Sequence, residues 1–557
     1  MIRVFCSNTG TAKEFQEGVS LLETIEAFGL EQPYPILGAK VNYVVEGLKY
    51  RLFNNKDVEF LDYGSYAGRS IYCRSLCFLL AKASDDVCPG SRITMRRPIS
   101  KGYFCELEKP DGSAVTAEEI EAIRCRMKEI VAEDAPFHRH EVKTEEAVEI
   151  FHKRGFDDKV SLLSTSGTVY TKYYTLLGYA DMYYNPLLPS TSYLKVWDVI
   201  PFNGGMLLKV PDRHHPGQLA PQRQEPKTFE VLKESLKWNR IMGLKNVGDV
   251  NIACRSGRAT ELIQVSEALQ ERKIVQIAEE IERRYNDPDN PMRVVLITGP
   301  SSSGKTTFCK RLSVQIKACG LRPISFSTDD YFVDRVKTPK LPDGSYDFDN
   351  FDTVDHDALQ ADLLKLIAGE TVEVPEFNFV TGKREYNGKK LKLEKGTVLL
   401  LEGIHALNPR LTDKVKDEIK FKIFISTITG IAIDNHNWIP TSDNRLLRRI
   451  VRDYNKGAFS PVQTISQWPN VRKAEEKWIY PYQENADVMF NSAYLVEFAV
   501  MRNHAEPILA SVPKNTPEYC EAHRLLKFLH YFNPVPDKEI PATSLIREFV
   551  GGSSLAK

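Results

Sequence analysis

The stretch MRVVLITGPSSSGKTT, residues 292–307, joins an apolar run to a loop rich in glycine and serine. Gly299, Gly304, Lys305 and Thr306 satisfy the spacing G-x-x-x-x-G-K-[ST], and an amphipathic helical segment follows. A strand, a loop and a helix in this order direct backbone NH groups and the positive end of the helix at one point, which favours a phosphate group. A plain Gly/Ser turn between strand and helix is the alternative interpretation.

The loop predicts a binding site for the phosphates of ATP. The Lys305 ammonium would neutralise the β- and γ-phosphates, and the Thr306 hydroxyl would be a ligand of Mg²⁺. The residues expected to contact ATP are Gly299, Ser301, Ser302, Ser303, Gly304, Lys305, Thr306 and Thr307.

Composition gives weaker information about the 557-residue chain. Its 74 basic residues balance 74 acidic ones, so net charge gives no argument for a nucleic-acid or membrane partner. The ten cysteines form no CxxC pairs, the start MIRVFCSNTG lacks the apolar region of a signal peptide, and no apolar run approaches the ~20 residues of a membrane helix. We expect a cytoplasmic protein with reduced thiols and no membrane partner; nothing in the sequence indicates its oligomeric state.

Carboxylates follow two further apolar strands. Asp329 and Asp330 follow the strand-like RPISFST, and Glu402 ends VLLLE. Because ligands of doubly wound sheets bind at the carboxyl ends of the strands, these groups are candidates for a proton acceptor and a metal ligand. The alternatives are a solvated acidic turn for the aspartates and a helix-capping acid for Glu402.

Arginines recur at helical spacing in DNRLLRRIVRDYNKG, residues 443–457. Arg445, Arg448 or Arg449, and Arg452 would lie on one face of a helix. In a phosphate-binding protein such a face can close over a transferring phosphoryl group, although a solvated basic face has the same pattern.

These pieces, in this order, resemble the uridine kinase and phosphoribulokinase family of P-loop kinases over about residues 292–491. The motifs that carry the resemblance are GPSSSGKTT, STDDYF, YDFDNFDTVD, VPEFNF, LEGI, RLLRRIVRD and WIYPYQENADVMF. The resemblance implies a kinase that uses ATP and Mg²⁺ to phosphorylate a hydroxyl of a small molecule. It also implies an α/β domain with a mostly parallel sheet flanked by helices and the phosphate loop after the first strand.

The resemblance assigns roles to single residues. Asp329 would be the base that activates the acceptor hydroxyl, and Asp349 would bind the hydroxyls of a sugar. The catalytic residues that it implies are Asp329, Lys305, Arg449 and Arg452. The implied metal ligands are Thr306, Glu402 and Asp329.

The acceptor pocket departs from the pattern of uridine kinases. Those enzymes usually place a tyrosine and a histidine against the base, where this chain has Phe377 and Gly382. Gly457 and Phe459 stand where nucleoside-binding kinases carry further arginines, whereas Gln467 matches a glutamine of that pocket. The acceptor-binding residues implied are Asp349, Phe377, Arg449 and Gln467. Uridine or cytidine is the leading acceptor, and base recognition is expected to be altered.

The front half resembles another family. Residues 1–62, with ILGAKVNYVVEGLKYRLFNNKDVEFLDY, resemble the β-grasp TGS domain of threonyl-tRNA synthetases, and the following region resembles the second additional domain of those enzymes. That editing domain normally opens with H-x-x-x-H, but GSYAGRSIYCRSLCFLLAKA contains no histidine. Hydrolytic editing by the usual constellation is therefore not expected.

Other features of the front half have simple interpretations. His138 and His140 form an H-x-H pair without nearby partners, which favours a surface position over a metal site. Cys73 and Cys77 lie one helical turn apart among apolar residues and are expected in the core. The aromatic-rich residues 167–189 leave stacking on nucleic-acid bases open, but no lysine or arginine run accompanies them.

Three functions remain compatible with the sequence. The first is a nucleoside kinase; the second is a kinase of another sugar or small alcohol, such as a phosphorylated pentulose. The third is a regulatory or RNA-associated protein in which the P-loop is a nucleotide-dependent switch; Asp329 and Asp349 favour a kinase because a switch needs no ligands for an acceptor hydroxyl. The predicted units are a TGS-like domain at 1–62, a synthetase-like α+β domain at 63–225, a helical connection at 226–290 and a P-loop kinase domain at 291–557.

Overall fold

The computed structural model describes residues 1–555. The chain begins with a small α/β unit, whose elements are β1 (Ile2–Cys6), β2 (Thr11–Phe15), β3 (Val19–Ser20), α1 (Leu21–Phe28), β4 (Gly38–Val41), β5 (Val44–Glu46), β6 (Arg51–Leu52) and β7 (Lys56–Leu61). Its main sheet has the order β2-β1-β7-β4-β5. Helix α1 starts with a capping box between Ser20 and Glu23 and is followed by its C-cap Gly29, which has φ = 59°.

A second unit is built around one buried helix. Its elements are α2 (Tyr66–Val87), β8 (Arg92–Ile99), β9 (Gly102–Glu108), α3 (Ala117–Ala132), β10 (His138–Lys143), α4 (Thr144–Lys153), α5 (Asp157–Ser166), β11 (Tyr170–Leu176), β12 (Tyr179–Asp181), β13 (Asp198–Phe202) and β14 (Gly205–Lys209). The sheets have the orders β13-β14-β9-β8 and β10-β11-β12. Cys73 and Cys77 are buried in the core around α2, which confirms their predicted position.

The two histidines of the H-x-H pair lie on β10. His138 is exposed, and His140 is half-buried with Nε2 2.9 Å from the Thr175 hydroxyl. In residues 1–555, no group of three or more His, Cys, Asp or Glu side chains has an arrangement suited to a metal ion. Over the same residues, no helix combines the length and the apolar character needed to span a bilayer.

Three helices connect the two halves of the chain: α6 (Pro226–Met242), α7 (Val247–Arg255) and α8 (Ala259–Tyr285). They contribute to an apolar core that also contains residues of the second unit, such as Phe151 and Leu162, and residues of the C-terminal half, such as Leu446 and Phe498. The synthetase-like and kinase-like parts therefore share one hydrophobic core.

The C-terminal half is a parallel sheet flanked by helices. Its elements are β15 (Val294–Thr298), α9 (Lys305–Ala318), β16 (Arg322–Ser327), α10 (His356–Ile367), β17 (Val372–Glu373), β18 (Glu376–Asn378), β19 (Lys383–Glu385), β20 (Lys390–Leu391), β21 (Thr397–Glu402), β22 (Lys420–Ser426), α11 (Thr441–Asn455), α12 (Pro461–Trp478), β23 (Val488–Asn491), α13 (Glu497–Ala510), α14 (Tyr519–Leu529) and α15 (Arg547–Val550). The main sheet has the order β16-β21-β15-β22-β23, and all its neighbours pair in parallel. This confirms the predicted fold class.

The strand order explains where the site lies. Strand β15 is central and all its residues are buried, as its sequence VVLIT predicts. In the sheet register Glu402 of β21 lies beside Ile297 of β15 and Ser327 of β16. The phosphate loop, the Asp329 turn and Glu402 consequently meet at the carboxyl edge of the sheet.

A buried ion cluster also joins the halves. The Lys159 Nζ atom lies 2.9 Å from Asp181 Oδ1 and 3.1 Å from Asp434 Oδ1, and His436 Nδ1 lies 2.7 Å from Asp181 Oδ2. Lys159, Asp181 and Asp434 are fully buried. Lys159 and Asp181 belong to the second unit, whereas Asp434 and His436 precede α11.

Candidate active site

The phosphate loop has the geometry that its sequence predicts. Gly304 has φ = 87°, a left-handed conformation that glycine adopts at low cost, and α9 begins at the next residue. The Lys305 ammonium donates to the carbonyl oxygens of Gly299, at 3.0 Å, and Pro300, at 3.2 Å. Within residues 1–555, the buried hydroxyls of Ser302 and Ser303 have no hydrogen-bond partner. The loop thus has spare polar groups that fit phosphate oxygens.

Two carboxylates lie near the Lys305 ammonium. The Thr306 hydroxyl donates to Glu402 Oε1 at 3.1 Å. Burial raises the pKa of Glu402 to about 7 and that of Asp329 to about 6, and in both cases the positive charge of Lys305 opposes the effect. A hydroxyl and carboxylates are hard oxygen ligands of the type that Mg²⁺ prefers, and phosphate and water oxygens usually complete its coordination.

Asp329 and Asp330, the acidic pair after β16, have different partners. Asp329 interacts electrostatically with Lys305, whereas Asp330 Oδ2 accepts from the backbone NH of Ser327 at 3.4 Å and caps the short 3₁₀ turn Thr328–Tyr331. The turn packs closely on Gly403, where a Cβ would lie 1.8 Å from the Thr328 hydroxyl oxygen. The glycine in LEGI therefore keeps the Asp329 turn against the end of β21.

The arginines of α11 form two groups, whereas the spacing predicted one face. Arg445 and Arg448 are fully buried and form ion pairs with Glu475 of α12 and Glu497 of α13. Arg445 also donates to the carbonyl oxygen of Ser301 at 3.1 Å, and Arg448 donates to that of Ser302 at 3.3 Å. These two arginines hold the backbone of the phosphate loop.

The side chains of Arg449 and Arg452 are more exposed than those of Arg445 and Arg448. Their side chains are 15% and 23% exposed, and both pair with Asp453. Arg449 Nη1 also lies 3.3 Å from the Ser301 hydroxyl. Arg449 and Arg452, the two arginines predicted to be catalytic, are therefore less buried than Arg445 and Arg448.

Asp349 interacts electrostatically with Arg449. Burial raises the pKa of Asp349 to about 6, and the Arg449 guanidinium opposes this shift, whereas Glu475 and Asp329 reinforce it. The structure therefore brings Asp349 into one electrostatic group with Arg449 and the base candidate. Gln467 lies half-buried on α12, and no hydrogen bond or ion pair in the described chain connects it to Asp349 or Arg449.

Phe377 lies in a small cluster of aromatic rings. Phe377 is 7% exposed, and its ring centroid lies 5.5 Å from that of Phe332 and 5.2 Å from that of Phe379. Gly382 occupies a turn with φ = 69°, where a Cβ would lie 2.8 Å from Cβ of Arg335. A histidine at position 382 would be strained, so the conformation of this turn favours glycine over the histidine that uridine kinases usually carry.

Three further carboxylates near the loop were not predicted from the sequence. Glu475 accepts from the backbone NH of Ser301 at 3.1 Å as well as from Arg445, and Glu497 anchors Arg448. Glu548 of α15 accepts from the Thr307 hydroxyl at 2.6 Å, although the two residues are 241 positions apart. Each lies outside the motifs, and no local sequence signal connects it to the loop.

Glu548 offers a test of the electrostatics of the loop. Its negative charge interacts with Lys305 and raises the pKa of Glu402. We expect Glu548→Gln to tighten ATP binding roughly fivefold, because the amide still accepts from Thr307 while one negative charge near the phosphates is removed. Titration calorimetry with ATP measures the change. Glu539→Gln, at a largely exposed carboxylate, is the control, and weaker ATP binding by Glu548→Gln would contradict this interpretation.

Comparison with known proteins agrees with this geometry. The model described as "Phosphoribulokinase / Uridine kinase family" matches residues 294–498. A uridine kinase of Chlamydia pneumoniae is 29% identical over 231 residues, which are 40% of this chain and 93% of that protein. A solved structure titled as a possible uridine kinase from Bacillus stearothermophilus is 17% identical to this chain. The match covers 40% of this chain and 98% of that protein, with a TM-score of 0.27.

The front part matches threonine–tRNA ligases. The ligase of Symbiobacterium thermophilum is 27% identical over 196 residues, and that of Syntrophomonas wolfei is 29% identical over 198 residues. These matches cover 35% of this chain but only 30% and 31% of the two ligases. The chain therefore spans about a third of the length of these relatives.

The fold and the site define a P-loop kinase domain. Residues 294–498 of this domain match the model of the phosphoribulokinase and uridine kinase family. The same chain has an N-terminal part that is similar to threonine–tRNA ligases.

Proposed function

We propose that the protein transfers the γ-phosphate of ATP to a hydroxyl of a nucleoside or a related sugar. The observation that carries the proposal is the proximity of five groups at the carboxyl edge of the sheet. Lys305 interacts with Asp329 and Glu402, and Asp349 interacts with Arg449 and Asp329. A nucleotide-dependent switch needs groups for the phosphates and the metal, but it needs no ligands for an acceptor hydroxyl such as Asp329 and Asp349.

The residues divide the reaction between them. The Asp329 carboxylate accepts the proton of the acceptor hydroxyl, whose oxygen bonds to the γ-phosphorus as the bond to the β–γ bridging oxygen breaks and ADP leaves. Lys305, Arg449 and Arg452 stabilise the negative charge of the transferring group. Mg²⁺ held by Thr306 and Glu402, with Asp329 nearby, would supply further charge neutralisation. Most of the rate enhancement would come from position and electrostatics.

Asp349 and Phe377 support a sugar acceptor with an altered base pocket. A carboxylate paired with a guanidinium is suited to accept hydrogen bonds from vicinal sugar hydroxyls. The apolar wall around Phe377 offers ring contacts but no donor or acceptor of its own. We therefore place uridine or cytidine first and another sugar or small alcohol second.

The test is a coupled assay of ADP release by the full-length protein with ATP and Mg²⁺. Uridine, cytidine, other nucleosides and pentoses, free and phosphorylated, are offered in turn. Stimulation of ADP release by one of them supports the proposal and identifies the acceptor class. If none stimulates turnover while ATP still binds, the proposed kinase activity is wrong.

Acceptor use should depend on pH through Asp349. Its raised pKa of about 6 means that the carboxylate is ionised above pH 6 and protonated below it. We expect KM for the acceptor to rise at least fivefold between pH 7 and pH 5, because a protonated Asp349 loses its pairing with Arg449 and part of its acceptor capacity. Steady-state kinetics over this range measure the effect. Asp349→Asn should raise KM at pH 7 and flatten the profile; an unchanged profile in this variant would contradict the assignment.

A further inference from the structure

A large cavity has no residue of the phosphate loop, and neither Asp329, Asp349 nor Glu402, in its wall. It has a volume of about 780 Å³, within the usual range of roughly 300–1,000 Å³ for small-molecule sites. Its wall combines β5 and the start of α2, strands β10 and β11, and helices α12 and α14. All three units of the fold thus contribute to it. Ile465, Ser466 and Pro469 of α12 lie within the matched residues 294–498, but the proposed function uses no residue of the wall.

Positive charge is in excess at one end of this cavity. Lys527 of α14 lies there, and its Nζ donates to the carbonyl oxygen of Tyr184; no carboxylate of residues 1–555 lies within 4.0 Å of it. Enclosure lowers the pKa of Lys527 to about 8, and Lys172, Arg139 and Arg74 add to this effect while Glu46 opposes it. The ammonium is therefore surrounded mainly by other cations.

Arg74 lies behind the cavity wall and adds to the excess of positive charge at this end. It is 2% exposed, it donates to Asn437 and to the Tyr184 hydroxyl, and its guanidinium lies 4.1 Å from the Tyr184 ring centroid. As for Lys527, no carboxylate in the described chain forms an ion pair with it. A buried guanidinium without an anion is costly unless another group supplies the charge.

The carboxylates at this end of the cavity are fewer than the cations, and they lie at long distances from them. Glu46 lies 3.8 Å from Arg139, and Glu141 lies 4.0 Å from Lys172, which are the outer limits of an ion pair. Arg139, Lys172 and Lys527 line this end and Arg74 lies behind it, so that four cations stand against two carboxylates and two positive charges remain. Of the other acids of the wall, Glu521 is held by Arg524, and Glu518 lies at the opposite end of α14.

Two tyrosines of the cavity wall are exposed. Tyr66 is 49% exposed and Tyr170 is 61% exposed. The Arg524 guanidinium lies 5.8 Å from the centroid of the Tyr66 ring. Exposed tyrosine rings are suited to stack on a planar ring of a ligand. The cavity therefore combines an excess of positive charge at one end with exposed tyrosine rings.

We propose that this cavity binds a free nucleoside monophosphate, whose phosphate dianion is bound by Lys527 and Lys172 and whose base stacks on Tyr66 or Tyr170. A phosphate monoester carries close to two negative charges at neutral pH, which matches the two positive charges left over at this end of the cavity. The cavity is distinct from the kinase site, and the inference does not depend on the proposed kinase reaction.

The test is titration calorimetry of the full-length protein with UMP and AMP. We expect one saturable site for a mononucleotide that persists in Lys305→Ala, the variant that disables the phosphate loop. Uridine, which lacks the phosphate, and ribose 5-phosphate, which lacks the base, should bind at least tenfold more weakly. Lys527→Gln and Lys172→Gln should each weaken mononucleotide binding tenfold or more, since each removes a charge-assisted contact.

Two controls keep the test decisive. Lys128→Gln, at an exposed position of α3, should bind like the unaltered protein, and thermal unfolding of each variant establishes that it is folded. Tyr170→Ala should reduce the preference for UMP or AMP over ribose 5-phosphate. The proposal is overturned if neither mononucleotide binds saturably, or if binding survives both cavity variants and disappears in Lys305→Ala.

Discussion

Asp329→Asn is expected to lower the rate of phosphoryl transfer by about 10²–10⁴-fold, the usual contribution of a general base. The asparagine keeps the size of the side chain but cannot accept the proton of the acceptor hydroxyl. Because Asp329 packs in the turn that Gly403 and Thr328 hold in place, the substitution should leave the fold unchanged. The measurement is kcat in the ADP-release assay with the acceptor that the panel identifies.

The neighbouring residue supplies the matched control for this prediction. Asp330→Asn removes a carboxylate one position away that caps its own turn and does not face Lys305. It should retain most of the activity. ATP binding in the absence of added metal should not weaken in either variant, which separates catalysis from binding. Equal losses of kcat in the two variants would show that the assignment of Asp329 is wrong.

Lys159→Met is expected to destabilise the protein by about 3–5 kcal/mol, the cost of removing one partner from a buried ion pair. Asp181 and Asp434 would remain buried without the Lys159 ammonium, which lies 2.9 and 3.1 Å from their Oδ1 atoms, and Asp181 would keep the neighbouring imidazole of His436. Because Asp181 and Asp434 belong to different units, the contact between the synthetase-like and kinase-like parts should weaken first. Urea unfolding followed by tryptophan fluorescence measures this, since Trp438 is buried next to the cluster.

Two variants make this measurement specific. Lys153→Met replaces an exposed lysine of α4 and should shift the unfolding midpoint little. Lys159→Met combined with Asp181→Asn and Asp434→Asn should recover part of the stability, because the uncompensated charges are then gone. If Lys159→Met unfolds at the same urea concentration as Lys153→Met, the cluster does not stabilise the interface between the halves.

Much of the kinase half follows from its sequence. The apolar strand VVLIT, the glycine spacing of residues 299–304 and the helix after them are local features, and local features are what periodicity and turn preference report. The strand order then brings Asp329 and Glu402 to the loop, because the carboxyl ends of parallel strands meet at one edge. The predicted burial of Cys73 and Cys77 had the same basis in helical spacing.

The arginine helix shows what residue spacing leaves open. The spacing of Arg445, Arg448, Arg449 and Arg452 predicts a helix, and the helix is present. Spacing does not distinguish the buried pair from the partly exposed pair, because that division depends on Glu475 and Glu497, which approach from α12 and α13.

Contiguous residues were enough to predict the fold class of the second half, the position of the phosphate loop and two of the nearby carboxylates, Asp329 and Glu402, because each of these depends on local pattern. The folded chain was needed to show which arginines hold the loop, that Glu548 reaches Thr307, that Lys159 joins the halves, and that three units enclose a cationic cavity. Those contacts join residues far apart in the chain. Their partners follow from how the units pack, and no local pattern of hydrophobicity or spacing encodes that packing.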